Sequence, residues 1–336
     1  MPTTACHHWA TGRPAGGRSI PGVRMARDWE EQFHVWAQPP GKTEQDKMER
    51  AEVEIRAAIA ASPKIGTHDV RTFPTGSYKN RTHVPRESDV DICVMYKDTF
   101  FNYWNFVESG AQTAPAVRER LEKEARLIDA TYTFFEFKND VEAALVAHFG
   151  RGAVKRGDKA FDVHETGKQV ESDVLAAFEH RRWSRDAYGR LSYISGTEFI
   201  SDSGKRIVNW PDQQYENGVN KHAATHDRFK KMVRILKSLR NEMDDEGNKA
   251  AGPIPSFLSE CLVWNVPDSE FGHATYYDDM REVLRFIYLG TRTEPECHEW
   301  AEENDLKYLI RASQAWTREE VNVFALAAWQ HVGFTG

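Results

Sequence analysis

Between Asp89 and Tyr96 apolar and polar positions alternate strictly. Val90, Ile92, Val94 and Tyr96 share one face, and Asp89, Asp91, Cys93 and Met95 share the other, which predicts a β-strand. Other stretches carry helical spacing. Trp29, Phe33 and Trp36 mark a helix within 26–38, ended by Pro39-Pro40-Gly41, and Met48, Ala51, Ile55, Ala58 and Ile59 stripe a second over 43–61. Thr43 is its expected N-cap, with Asp46 in the first turn. Residues 113–149 read as helical in two stretches. Strands are expected at 68–73, at 159–164 and 170–179 around the turn Thr166-Gly167-Lys168, and in a hairpin over 191–209 around Asp202-Ser203-Gly204. From His226 onward only helical periodicity remains, at 226–243, 256–264, 277–290, 298–312 and 317–331. The pattern predicts an α+β part over 25–220 and an all-helical part over 221–336.

Composition narrows the class. The chain has 336 residues, a formal net charge of −7, and 10 Trp, 11 Tyr and 18 Phe, too many aromatic residues for a solvated chain. No apolar run reaches the roughly 18 residues a membrane span needs. Cys6, Cys93, Cys261 and Cys297 form no C-x-x-C pair, so a reduced, cytoplasmic protein is expected rather than a disulfide scaffold. Residues 1–24 are rich in Gly, Pro and Arg, contain Cys6-His7-His8 and lack a secretory apolar segment. They read as a disordered tail or an upstream start, with Met25 as the natural first residue. The acidic balance argues against a surface built to coat nucleic acid.

The chemistry concentrates in 73–96. Gly76-Ser77 follows a strand and a tight turn, where a glycine lets the backbone approach a ligand and free N–H groups with a hydroxyl suit a phosphate. Asp89 and Asp91, at i and i+2 on a strand, point the same way. Two carboxylates among apolar neighbours are costly unless a cation neutralises them, and a hard divalent ion that also holds phosphates, such as Mg²⁺, suits them. A lone Asp-x-Asp is more often a solvated strand edge; Cys93 and Met95 continuing the acidic face weaken that reading here. A two-metal site needs a third carboxylate, to clamp attacking and leaving oxygens with ions about 3.5–4 Å apart. Asp173 is the candidate, ahead of Asp162 and of Glu165 and Glu171.

Residues 227–242 carry six Lys or Arg against two acids, with Phe229, Met232, Val233, Leu236 and Leu239 as the buried stripe and Lys230, Arg234 and Lys237 on another face. A solvated face explains many such runs; the functional reading is a grip on a nucleotide triphosphate. Pro255-Ser256-Phe257-Leu258 opens the next helix, where Ser256 is either an N-cap or a phosphate ligand.

The strand, Gly-Ser turn and Asp-x-Asp pattern resembles the DNA polymerase β nucleotidyltransferase superfamily. With SDVLAAFEHRRW (172–183), IVNWPDQQYENGVNKH (207–222), FKKMVRILKSLRNE (229–242) and IPSFLSE (254–260) added, residues 29–330 resemble the bacterial CD-NTases, cGAS/DncV-like nucleotidyltransferases of anti-phage (CBASS) defence. The Gly-Ser block is most similar to the clade G enzymes. The resemblance implies a polymerase β-like core, with a mixed twisted sheet and flanking helices, an OAS-like helical C-terminal lobe, and an active site in the cleft between them. It implies that Gly76 and Ser77 hold the donor triphosphate, that Asp89, Asp91 and Asp173 bind Mg²⁺ or Mn²⁺, and that Lys237 and Ser256 grip the triphosphate, with Arg234 or Lys231 as substitutes for the lysine. The zinc-binding His/Cys loop of the DNA-activated animal relatives has no equivalent here, so activation by DNA is not expected.

The expected product is a cyclic di- or trinucleotide, purine-containing such as cyclic GMP-AMP, made from ATP and GTP and read by a downstream effector. Tyr78, Phe178 and Tyr193 are candidate base-stacking residues. Two other readings stand beside this one: a template-free transferase making linear products, oligoadenylate-like or tailing RNA, and a catalytically dead binding module, which a missing carboxylate would have favoured.

Overall fold

The computed structural model describes residues 27–39, 41–85, 89–104, 123, 132–164 and 171–335. The tail 1–24 with Cys6-His7-His8, most of 113–131, Glu165 and the turn 166–168 lie outside the described residues. Helices α1 (Trp29–Trp36) and α2 (Lys42–Ala60) lead into β1 (Val70–Pro74), a short helix α3 (Gly76–Asn80) and β2 (Val90–Trp104). Then come α4 (Phe134–Phe149), β3 (Val154–Arg156), β4 (Phe161–Val163), β5 (Ser172–Arg185), β6 (Leu191–Ile200) and β7 (Arg206–Asn209). Helices follow: α5 (Pro211–Ala224), α6 (Phe229–Asp245), α7 (Ser256–Trp264), α8 (Tyr276–Gly290), α9 (Glu294–Cys297) and α10 (Arg318–Val332).

The described strands form one mixed sheet, ordered β1-β2-β5-β4-β3, with β6 and β7 extending from the far end of β5. Only β2 and β5 run parallel. Val90, Ile92, Val94 and Tyr96 pack with Met48, Ile55, Phe137 and Val141 of α2 and α4. Cys93 and Met95 are buried as well, so the alternation of β2 separates two covered faces rather than core from water. The α4 helix starts on a capping box, with the Thr133 hydroxyl accepting from Glu136 N–H and the Glu136 carboxylate accepting from Thr133 N–H.

The second core lies in the helical lobe. The five-residue stripe expected of α6 is buried there with Leu258, Val283 and Phe324. Phe33 and Ala37 join it, so α1 packs on the carboxy-terminal lobe although it precedes the sheet in sequence. Phe33→Ala should therefore destabilise this lobe by about 3–5 kcal/mol, the cost of a large buried cavity; thermal unfolding checks it, and an unchanged melting temperature would contradict the packing.

Three elements differ from expectation. The N-cap of α2 is Gly41 rather than Thr43. The helix α5, introduced by Pro211 at its first position, contains the boundary expected at 220/221. Residues 298–312 are not a helix. Glu302, Glu303 and Asn304 are buried, Asp305 has φ of 56°, and the Asn304 amide oxygen accepts from Leu306 N–H at 2.9 Å. Side-chain bonds of this kind compete with helix formation. No helix of the described residues is long and apolar enough to cross a membrane.

Candidate active site

The acidic group is assembled by strand register. Asp91 on β2 stands opposite Asp173 on parallel β5, and Asp173 stands opposite Asp162 on antiparallel β4. Asp89 precedes Asp91 by two residues on the same face. Carboxyl groups from three adjacent strands thus project from one sheet face. Burial, then the charges of Asp173 and Asp89, push the Asp91 carboxyl up to about 7, with Lys237 acting in the opposite direction. Burial, then Asp162 and Asp89, push Asp173 up to about 6. Asp89 is raised by burial and then by Glu171 and Asp162. Clustered carboxylates that repel one another in this way fit a divalent cation, which would supply the missing countercharge.

Gly76 is fixed by the same cluster. Its φ is 61°, and a Cβ there would lie 2.1 Å from Asp91 Oδ2. Thr75 N–H donates to Asp91 C=O at 2.8 Å, so the turn is stitched to β2 and only glycine fits between turn and carboxylate. Ser77 N-terminally enters α3, and its C=O accepts from Thr82 N–H at 3.0 Å.

Gly76, Ser77, Asp89, Asp91 and Asp173 line a cleft of about 350 Å³ whose opposite wall is Lys237, Ser256, Phe257 and Glu260 of the helical lobe, with Gln214 between. Seven of the eight expected site residues therefore meet across the lobe junction, and Arg234 does not. Arg234 is buried and donates to Ala37 C=O at 2.8 Å and Arg81 C=O at 2.6 Å. It braces α1 and the segment after α3 against α6. Lys231 lies near the Tyr276 ring rather than in the cleft. The basic face of α6 is not solvated: Lys230, Arg234 and Lys237 are all buried. The Lys237 ammonium bonds Glu260 Oε2 at 3.0 Å.

The proposed base-stacking residues are elsewhere. Phe178 is buried against Tyr96, Phe101, Phe134 and Phe137, Tyr193 packs on Trp183, and Tyr78 faces a separate recess with Arg81 and His83. A second recess of about 300 Å³ adjoins the cleft, sharing Gly76, Asp91, Gln214 and Phe257 and adding Asn209 and Trp210. Trp210 Nε1 is buried without a hydrogen-bond partner. Gln214, Phe257 and Glu260 were present in the sequence blocks 207–222 and 254–260, but no spacing rule singled them out.

Of the other carboxylates weighed for the third position, Glu171 pairs with His164 at 2.9 Å. A further cluster, Glu242, Glu246 and His331, brings one ligand atom from each within 4.8 Å. Arg27 already bonds both oxygens of Glu242, at 2.5 and 2.8 Å, so this is an ion-pair network joining α1, α6 and α10.

Comparison with known proteins places the chain in a family. Residues 216–333 match the family model described as cGAS/DncV-like nucleotidyltransferase C-terminal helical domain. The chain is 40% identical over 308 residues to a cyclic dipyrimidine nucleotide synthase CdnE of Legionella pneumophila, covering 92% of this chain and 99% of that protein. It is 36% identical to a protein of the same name from Cecembia lonarensis, covering 92% and 100%. The solved structure of Elizabethkingia meningoseptica CdnE cyclic dinucleotide synthase with GTP and Apcpp superposes with a TM-score of 0.72 at 31% identity, covering 91% of this chain and 99% of that one. These relatives carry the CdnE name; a CdnG structure from Bradyrhizobium diazoefficiens is 10% identical and shares the fold alone. The chain belongs to the CD-NTase family of cGAS/DncV-like nucleotidyltransferases.

Proposed function

We propose that this nucleotidyltransferase makes a cyclic dinucleotide, with the carboxylates of Asp89, Asp91 and Asp173 as its metal-binding set. The observation that carries the proposal is the convergence of these groups with Gly76 and Ser77 on one wall of the cleft and Lys237 and Ser256 on the other. Mg²⁺ held by the three aspartates would supply charge neutralisation for the donor triphosphate and activation of the acceptor ribose hydroxyl. Gly76 and Ser77 offer backbone N–H groups and a hydroxyl to the donor phosphates, and Lys237 and Ser256 close on them from the helical lobe. Asp173, between Asp91 and Asp162 in the row of carboxylates, is placed to help activate the acceptor hydroxyl and to take up its proton. The hydroxyl oxygen bonds the α-phosphorus as the bond to the β-phosphate oxygen breaks, and pyrophosphate leaves. A second transfer within the linear intermediate closes the ring.

For the bases, this reading favours pyrimidines over the purine-containing product expected from the sequence. The 40% and 36% identical relatives are named cyclic dipyrimidine nucleotide synthases, whereas the cyclic dipurine nucleotide synthase of Elizabethkingia meningoseptica is 32% identical. The recess beside the cleft is lined by Asn209 and Gln214, whose side-chain amides are polar groups suited to a base edge. Single and paired labelled NTPs test this: product from UTP or CTP alone supports the pyrimidine reading, and a strict need for ATP with GTP overturns it. We propose further that the product serves as a second messenger read by an effector in anti-phage defence, the role that the resemblance to the CD-NTases implies.

Lys237→Ala should raise the NTP KM about tenfold with a smaller change in kcat, as expected for a group that binds ground state and transition state alike. Steady-state kinetics check it, and an unchanged KM would remove Lys237 from the triphosphate grip.

A further inference from the structure

The segment that carries Ser77 is held by the helices that follow the sheet. Lys79, Asn80, Arg81 and Thr82 each bond to α5, α6 or α7. Lys79 Nζ donates to Asp212 Oδ1 on α5 at 2.7 Å, and Arg81 C=O accepts from Arg234 on α6 at 2.6 Å. The other two residues meet at Glu260 on α7, which lines the cleft and is 2% exposed. Its Oε1 accepts from Asn80 Nδ2 at 2.9 Å, and its Oε2 accepts from Thr82 Oγ1 at 2.9 Å and from Lys237 Nζ at 3.0 Å. Thr82 N–H in turn donates to Ser77 C=O at 3.0 Å. A single carboxylate oxygen thus connects the two walls of the cleft, reaching Ser77 through Thr82 and Lys237 directly.

A carboxylate is an unexpected group in a cleft that holds a triphosphate. It repels the ligand, and its ion pair with Lys237 takes up positive charge that would otherwise attract one. Charge alone therefore gives no reason for Glu260 to be there. Position does. The side chain receives an amide, a hydroxyl and an ammonium, and these donors come from both sides of the cleft. Hydrogen bonds to a charged group are the stronger and more directional kind. Breaking a buried ion pair leaves an uncompensated charge, so the pair holds closely to one geometry. Lys237 is 1% exposed and Thr82 is 0% exposed, which leaves neither of them a solvent partner in place of Glu260.

We infer that Glu260 is a positioning residue of the donor site: its carboxylate sets the Ser77 turn and the Lys237 ammonium at a fixed separation, so that the grip on the triphosphate stands assembled before a nucleotide arrives. The inference rests on the reading of this cleft as the donor-triphosphate site. Asp212 and Arg234 hold the same segment from α5 and α6 and keep it from pivoting about Glu260. Groups fixed in place before binding lose less freedom when the ligand arrives. That gain outweighs the attraction given up by pairing Lys237 with an acid.

The test uses the full chain with Mg²⁺ and inorganic tripolyphosphate, a probe without a base. Glu260→Gln removes a negative charge beside the ligand, so a purely electrostatic role predicts tighter binding. The positioning role predicts the reverse, a Kd about tenfold higher, the order expected for a lost hydrogen bond to a charged group. Thr82→Val keeps the shape of a side chain that does not line the cleft and removes its bond to Glu260; it should also weaken binding about tenfold. Thr82→Ser restores the hydroxyl and should bind within about twofold of the wild type, a rescue that keeps the test open if Glu260→Gln does not fold. In a double-mutant cycle, Thr82→Val with Lys237→Ala should lose less than the product of the two single losses, because both act on one arrangement. Tighter binding in Glu260→Gln, wild-type binding in Thr82→Val, or fully multiplicative losses in the cycle would each overturn the inference. Failure of the wild type to bind tripolyphosphate would instead overturn the donor-site reading, and the role of Glu260 with it.

Discussion

Asp91→Asn should reduce product formation by at least about a thousandfold, because one neutral amide replaces a carboxylate at the centre of the metal-binding set. The fold should survive, and in metal-free protein at pH 8 the variant should melt at a higher temperature than the wild type. The reason is the direction of the shift. Asp91 is raised from 3.8 to about 7 in the folded protein, so between those values the folded state binds more protons than the unfolded one. Stability then falls as pH rises through that window, and the full penalty of the ionised group is present above it. Asparagine removes the penalty. Mg²⁺ offsets it in the wild type, so the metal should raise the wild-type melting temperature strongly at pH 8 and weakly at pH 5, where protons already neutralise Asp91 and Asp173. A Mg²⁺-induced shift of equal size at both values would contradict the carboxylate assignment. Activity surviving in Asp91→Asn would remove Asp91 from the reaction.

Gly76→Ala should cost activity about a hundredfold, close to the effect of a 1 Å misplacement of reacting groups, although no functional atom is removed. The added Cβ would lie 2.1 Å from Asp91 Oδ2, so either the carboxylate or the turn must move. The left-handed backbone adds a cost of about 1–2 kcal/mol for a residue with a side chain. Both the melting temperature and kcat should therefore fall, whereas Ser77→Ala should leave the melting temperature nearly unchanged. Full activity in Gly76→Ala would show that the turn does not abut the metal-binding face as described.

The parts of this site legible in the sequence were those with a local signal. Asp89 and Asp91 share a face because strand geometry repeats every two residues, and Gly76 stood out as a glycine after a strand. Asp173 was ambiguous against Asp162 because register between strands is not local. Register aligns both in one row, with Asp173 between Asp91 and Asp162. Arg234 and Lys237 are three residues apart on α6 and looked interchangeable; tertiary packing turned Arg234 toward backbone carbonyls and Lys237 toward Glu260. The stretch 298–312 misled most, because its spacing imitates a helix while Asn304 bonds locally to Glu302 and to Leu306 N–H, and Glu303 is held by Gln214 and Asn217 of α5. Glu303 was invisible because its side-chain partner Gln214 lies 89 positions away on another element. Phe178 and Tyr193 were aromatic residues near the right strands, but the sheet directs Phe178 into the core and Tyr193 onto Trp183.

The most direct test of the central claim is product analysis with purified full-length protein, Mg²⁺ and α-phosphate-labelled NTPs, followed by phosphatase. The account predicts a phosphatase-resistant product that disappears in Asp89→Ala, since a closed ring exposes no terminal phosphate. Label released entirely by phosphatase, or a ladder of product lengths, would contradict ring closure and identify a linear transferase. A resistant product that persists in Asp89→Ala would contradict the site itself.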